Sequence, residues 1–314
     1  MKNILITGVT GFIGSALKER LLIEGYDVLG TSRNPKRADG VIKLAEINEL
    51  TDWSIALNDI DVVVHLAGRA HVIADDSSGS SELFERTNHY GTKQLAYECV
   101  KYGVKRFIYI SSIGVNGSSS LDQGFSEDSK LRPENCYAVS KMNAENALTS
   151  IANRSDLNVV IIRPPLVYGP GAKGNFLRLL KLVRKGVPIP IGNINNKRSM
   201  IGLTNLVDII CTLIKAKKIR RQVYLVSDGM DVSTIDFVNK ICGCMNKKSI
   251  VYSFPQFIIK FFVRLIGKQR EYMKFTSTLV IDSSELRDDF DWVPVKTIEQ
   301  ELEAAVALFN ENDK

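Results

Sequence analysis

Two side chains that could share a proton stand four residues apart in the segment Tyr137-Ala138-Val139-Ser140-Lys141. Positions i and i+4 of a helix lie on one face, so a phenol and an ammonium would project together. A phenol titrates near about 10 in water, and a neighbouring cation favours its ionised form. Tyr137 is therefore a candidate acid/base near neutral pH. Upstream, Ser111-Ser112 ends an apolar run, and the Ser112 hydroxyl could bond a reacting oxygen and share the proton. The Tyr-x-x-x-Lys pattern is common and worthless alone. Its weight here comes from opening a helix, following a strand that ends in serine, and lying downstream of a nucleotide-type turn.

That turn is Gly8-Val9-Thr10-Gly11-Phe12-Ile13-Gly14, between the first apolar run and the first amphipathic stretch. Glycines at such a junction make a tight turn, let the backbone approach a pyrophosphate, and allow close helix–strand packing. The following helix start directs free N–H groups at the phosphates. The spacing is G-x-x-G-x-x-G rather than the commoner G-x-G-x-x-G. Arg33 ends the next apolar run. An acidic residue there would bond the ribose hydroxyls of NAD, whereas arginine accepts the 2′-phosphate of NADP. The alternative is an exposed turn arginine. NADP(H) is the favoured cofactor on this reading, with NAD(H) open.

The elements that would position these groups alternate. Short apolar runs at 2–7, 26–32, 40–44, 61–67, 106–111 and 158–163 read as buried parallel strands. Helical stretches at 15–24, 83–102 and 137–153 lie between them. The alternation predicts an α/β fold, a Rossmann-type doubly wound parallel sheet with a smaller C-terminal α/β substrate-binding domain. Pro164-Pro165 and Gly169-Pro170-Gly171 change the texture. Residues 1–168 are expected to form the dinucleotide-binding domain, rejoined by about 200–228, where 222–227 returns as a strand. Residues 169–314 would mainly form the other, discontinuous domain.

Composition narrows the class. The 314 residues carry a net charge of +6 with Lys and Arg scattered, which argues against nucleic acid and suits anionic small molecules. Five cysteines, an odd number, without a signal peptide favour a reducing cytoplasm. Cys242-Gly243-Cys244 lacks zinc-ligand spacing, so no metal is expected. No run is long enough to span a membrane. The segment 254–267 (FPQFIIKFFVRLIG) has Lys260, Arg264 and Lys268 at four-residue spacing. It reads either as a membrane-surface helix peripheral to the inner membrane or, as the favoured alternative, as a helix packed in the small domain or a homodimer interface.

With these residues in view, the chain resembles the extended short-chain dehydrogenase/reductases, the family that includes UDP-galactose 4-epimerase. The resemblance runs along nearly the whole sequence. It implies a catalytic group of Ser112, Tyr137 and Lys141, with Tyr137 and Lys141 also touching the cofactor. It implies cofactor contacts from Glu46 and Ile47 at the adenine, from His65-Leu66-Ala67-Gly68, and from Asn88, Ser111 and Pro164. It implies that Ser112, Tyr137, Asn175 and Arg198 contact a nucleotide-diphospho-sugar, most simply a UDP-sugar, with Arg270 as a second anion contact. The 4,6-dehydratases of the family carry an Asp-Glu pair after the catalytic Ser/Thr, whereas Ile113-Gly114 stand here. The 3,5-epimerase/reductases use a cysteine and a histidine, whereas the histidines here are His65, His71 and His89. His65 reads as a packed strand-end residue and His71 as a site-lining one. Two reactions remain, reduction of a 4-keto sugar and 4-epimerisation. Arg33 and strings similar to bacterial polysaccharide 4-keto reductases favour reduction. A non-catalytic NADP-binding redox sensor is the remote alternative, disfavoured because Tyr137 and Lys141 are both kept.

Overall fold

The computed structural model describes residues 2–34, 40–70, 78–120, 123–191, 194–265, 267 and 269–311. In chain order the strands are β1 (Asn3–Thr7), β2 (Asp27–Ser32), β3 (Val41–Lys43), β4 (Val62–His65), β5 (Arg106–Ile110), β6 (Asn158–Arg163), β7 (Leu166–Tyr168), β8 (Met200–Gly202) and β9 (Val223–Leu225). Seven form one sheet in the order β3-β2-β1-β4-β5-β6-β9, and β7 pairs with β8. Every pairing is parallel. The order reverses between β1 and β4, and a doubly wound sheet opens its ligand crevice at the carboxyl ends of such strands.

The apolar runs form central strands because helices cover both faces. Helices Phe12–Ile23 and Leu203–Lys215 pack Leu17, Leu21, Leu206 and Ile210 on one face, against Ile4, Ile6, Val64 and Ile108. Helices Gly91–Lys101 and Cys136–Ala152 pack Leu95, Cys99, Ala144 and Leu148 on the other, against Leu5, Val63, Phe107 and Ile161. A third core joins helices Asn175–Lys185, Thr234–Cys244 and Ile298–Glu311 around Tyr168, Phe176, Phe237 and Leu302.

Two elements depart from the sequence reading. The helix expected over 83–102 begins at Ser78 and is interrupted by a wide π turn at Glu85–Tyr90. Such turns are rare and recur at functional sites. Helix Gln256–Leu265, expected to pack in the small domain or a dimer interface, exposes Phe257, Phe261 and Leu265 in the single chain, so packing within the small domain leaves that face uncovered. Ile258, Ile259 and Val263 are only half-buried. Among the described residues no helix is long and apolar enough to cross a membrane.

Candidate active site

The turn after β1 is shaped by close backbone approach. Gly8 has φ +72°, and a Cβ there would lie 2.9 Å from the Ala67 amide nitrogen. A Cβ on Gly14 would sit 2.3 Å from the Gly8 carbonyl oxygen, so the helix start lies directly on the turn. Gly11 caps that helix without any side-chain hydrogen bond, which leaves its first N–H groups for an anion. Phe12 and Ile13 turn inward and pack on the core. The Thr10 hydroxyl pairs with Ser32 at 2.7 Å and ties the turn to the end of β2.

A cavity of about 450 Å³ opens over this turn. Its lining includes Gly8, Thr10, Gly11, Arg33, Glu46, Ile47, Leu66, Ala67 and Gly68. Arg33 and Glu46 are exposed on its rim, and Ile47 is half-buried. Lys173, Arg86 and Thr87 also line it. The far wall reaches Lys141, because a Cβ on Gly68 would lie 3.4 Å from Lys141 Nζ and 3.2 Å from Asn88 Oδ1.

The Tyr137–Lys141 helix, Cys136–Ala152, starts where the Asn135 side chain accepts the Ala138 N–H at 2.9 Å. That cap fixes Tyr137 in the first turn. The Ser112 hydroxyl accepts the Gly114 N–H at 3.1 Å, and its own O–H stands near enough to the Tyr137 phenol to favour the ionised form. The Pro164 carbonyl accepts the Ile113 N–H at 3.0 Å and holds the turn after Ser112. Lys141 Nζ donates to the Ile110 carbonyl at 2.9 Å. It lies 4.6 Å from the Tyr109 ring centroid and 6.0 Å from that of Tyr137.

The charge balance differs from the sequence reading. Burial pushes the Tyr137 phenol up to about 12, with the Ser112 hydrogen bond pulling the other way. Burial also brings the Lys141 ammonium down to about 8, against the field of Glu145. The ammonium is turned toward the Ile110 carbonyl and the Tyr109 face, so desolvation of the phenol outweighs it. At neutral pH Tyr137 is a protonated donor beside a charged lysine.

Polar residues behind the pair fix its frame. Asn88, in the π turn, accepts the Arg69 N–H at 2.8 Å and donates to the Arg69 carbonyl and the Ser140 hydroxyl, both at 3.0 Å. It thus ties the loop after β4 to helix Cys136–Ala152. His65 is fully buried and neutral, its imidazole held down at about 3 by burial. Thr92 donates to the Asn88 carbonyl, so His65 Nε2–H donates to the Thr92 hydroxyl at 2.9 Å and Nδ1 accepts from Thr7 at 2.6 Å. His65 is a packed strut and has no free nitrogen to act as a base. One turn beyond Lys141, buried Glu145 accepts the Ser111 hydroxyl and the Arg163 guanidinium, the latter at 2.6 Å. The Ser111 side chain is therefore committed behind the site, away from the cavity.

A second pocket of about 210 Å³ brings Asn175 and Arg198 together with Phe176, Phe237 and Phe275. Arg198 is half-buried and donates to the Ser277 carbonyl at 3.0 Å. Its backbone bridges Val232 and Leu279. Arg270 lies in helix Gln269–Thr276, with its side chain outside the described residues, and His71 lies outside them entirely. Among the described residues no cluster of His, Cys, Asp and Glu could hold a metal ion.

Residues 4–226 match the NAD dependent epimerase/dehydratase family. The chain belongs to that family. A UDP-glucose 4-epimerase of Vibrio cholerae is 40% identical over 313 residues, 98% of this chain and 95% of the relative. An N-acetyl-alpha-D-glucosaminyl-diphospho-ditrans,octacis-undecaprenol 4-epimerase of Escherichia coli O157:H7 is 29% identical over 252 residues, 78% of this chain and 73% of the relative. The structure of a UDP-glucuronic acid 4-epimerase from Bacillus cereus in complex with NAD shares the fold, with a TM-score of 0.81, 24% identity, and coverage of 99% and 100%.

As a member of the NAD dependent epimerase/dehydratase family, the chain has a site that fits a dinucleotide. The glycine turn leaves a cradle that any Cβ would fill, and an uncapped helix start faces it. Nothing in that geometry selects NADP. Arg33 is a solvent-exposed rim residue, and the preference expected for a 2′-phosphate finds no support in an NAD dependent family. Several site residues of this family member escaped the sequence reading. Lys173 reaches the cavity from beyond β7, and Phe275 closes the second pocket from far along the chain. Glu145 was detectable through its four-residue spacing from Lys141, the same spacing that marked Tyr137.

Proposed function

We propose that this enzyme is a 4-epimerase of a nucleotide-diphospho-sugar, UDP-linked, that holds NAD throughout turnover. The observation that carries the reading is the 40% identity to a UDP-glucose 4-epimerase over 98% of the chain. The site supports it, because the Ser112 hydroxyl lies close enough to act on the Tyr137 phenol and the buried Ile113 stands where elimination would need a carboxylate. Bound NAD supplies the acceptor and donor of a hydride at C4. Ser112 and Tyr137 bond the C4 oxygen and move its proton. Lys141 holds charge beside the phenol. Residues 1–168 with β9 carry the dinucleotide, and the remainder mainly carries the sugar nucleotide, whose diphosphate and base are assigned to the pocket of Asn175 and Arg198.

Reduction of a 4-keto sugar with NADPH is the second reading, favoured by Arg33 at the rim. The two differ in what happens to the cofactor. The epimerase reading predicts that purified protein carries close to one NAD per chain, and that it interconverts UDP-sugar C4 epimers without added nucleotide. Protein that arrives empty, consumes NADPH stoichiometrically and fails to interconvert epimers establishes the reductase.

The sugar-nucleotide pocket has its own test. Arg198→Ala is expected to weaken UDP-sugar binding by about 1.5–3 kcal/mol, the range for a hydrogen bond to a charged group, with NAD affinity unchanged in titration calorimetry. Equal loss of both affinities would mark Arg198 as a structural donor to Ser277 only.

A further inference from the structure

We propose that the apolar, basic segment 252–276 docks this enzyme onto an anionic lipid surface. Among the described residues, seven of the 21 exposed large hydrophobic side chains fall between Tyr252 and Phe275. Such concentration on one short stretch marks an interaction surface rather than scattered exposure. Helix Gln256–Leu265 exposes Phe257, Phe261 and Leu265. Phe257 is 73% exposed and Leu265 65%, and their eight-residue spacing places them on one helix face. The helix packs chiefly on its successor, Gln269–Thr276, which itself exposes Met273.

Charge selects the occupant. The sequence of this segment holds Lys260, Arg264, Lys268, Arg270 and Lys274 against the single Glu271. A segment this basic in sequence attracts anions and repels a second copy of itself. Anionic headgroups supply the opposite sign, while the acyl boundary takes the phenylalanines. The ten-residue helix is about 15 Å long, half of the roughly 30 Å hydrocarbon core, so it lies in the interface rather than crossing it. Phe275, at the end of the segment, lines the pocket of Asn175 and Arg198. Docking would therefore place that pocket at the membrane face.

The test uses the full chain in flotation with phosphatidylglycerol-containing vesicles and with pure phosphatidylcholine vesicles. Wild type is expected to float with the anionic vesicles and to bind phosphatidylcholine at least about tenfold more weakly, with raised salt releasing it. Phe257→Ser with Leu265→Ser changes only exposed side chains. This double variant is expected to lose binding by about tenfold or more while keeping the wild-type Tm and NAD affinity. The proposal is overturned if wild type ignores anionic vesicles, or if the double variant binds them as well as wild type. It is equally overturned if wild type is a dimer that the double variant converts to monomer, since a second copy would then be the occupant.

Discussion

Tyr137→Phe is expected to lower turnover by about 10²–10⁴-fold, the scale for a lost acid/base, with NAD affinity unchanged. The substitution removes only the hydroxyl. The ring stays packed edge-on to Phe84, 6.1 Å between centroids, so the helix start and the Asn135 cap keep their geometry. What is lost is the oxygen next to Ser112 that, on the proposed function, exchanges a proton with the sugar. Burial holds the phenol at about 12, so it is protonated at neutral pH, and a charged Lys141 nearby favours its ionised form during proton transfer. The Lys141 ammonium titrates at about 8. It is charged below that pH and neutral above it, so wild-type turnover should fall as pH rises past about 8. Steady-state rates across pH for wild type and Tyr137→Phe check both statements. A variant that retains full turnover would remove Tyr137 from the chemistry.

Glu145→Leu is expected to destabilise the fold by about 3–5 kcal/mol, the cost of breaking a buried ion pair from one side. The Arg163 and Glu145 side chains are 5% and 4% exposed. Removing the carboxylate strands a guanidinium among β6 residues and deprives the Ser111 hydroxyl of its acceptor. Arg163 would keep only Asn116, at 3.1 Å. Replacing both charges, with Glu145→Leu and Arg163→Met together, should recover much of the loss, because a well-packed apolar pair often matches a buried ion pair. Urea unfolding of the two singles and the double gives the coupling directly. A single-variant cost below about 1 kcal/mol would place the pair in the range of solvent-screened surface ion pairs.

The sheet was legible because its strands are buried on both faces. Runs such as Val62–His65 and Asn158–Arg163 carry few polar residues and could not sit elsewhere. The glycine turn and the Tyr137–Lys141 spacing were legible because both are local. What the sequence hid depends on contacts between distant residues. Arg198 meets Ser277, Asn88 meets Arg69, and Lys173 reaches a cavity built mainly by the first half. No periodicity encodes such meetings. The expected lowering of the Tyr137 pKa failed for a related reason. Spacing placed a cation nearby, but only the fold reveals that it turns toward the Ile110 carbonyl while burial acts on the phenol. Arg33 left the cofactor undecided because an exposed arginine at a strand end looks the same with or without a phosphate to meet.

The placement of β9 has a consequence for biosynthesis. β6 gains its outer neighbour only when Val223–Leu225 pairs with Ile161–Arg163, about sixty residues later, and such non-local parallel pairing forms slowly. Until then Val159–Ile162 is an open, apolar edge, the template on which nascent chains associate. A fragment ending at Tyr168 would keep that edge permanently. The glycine turn and the Tyr137–Lys141 helix would both be encoded in it, yet it would be an aggregation-prone product rather than a separable dinucleotide-binding module.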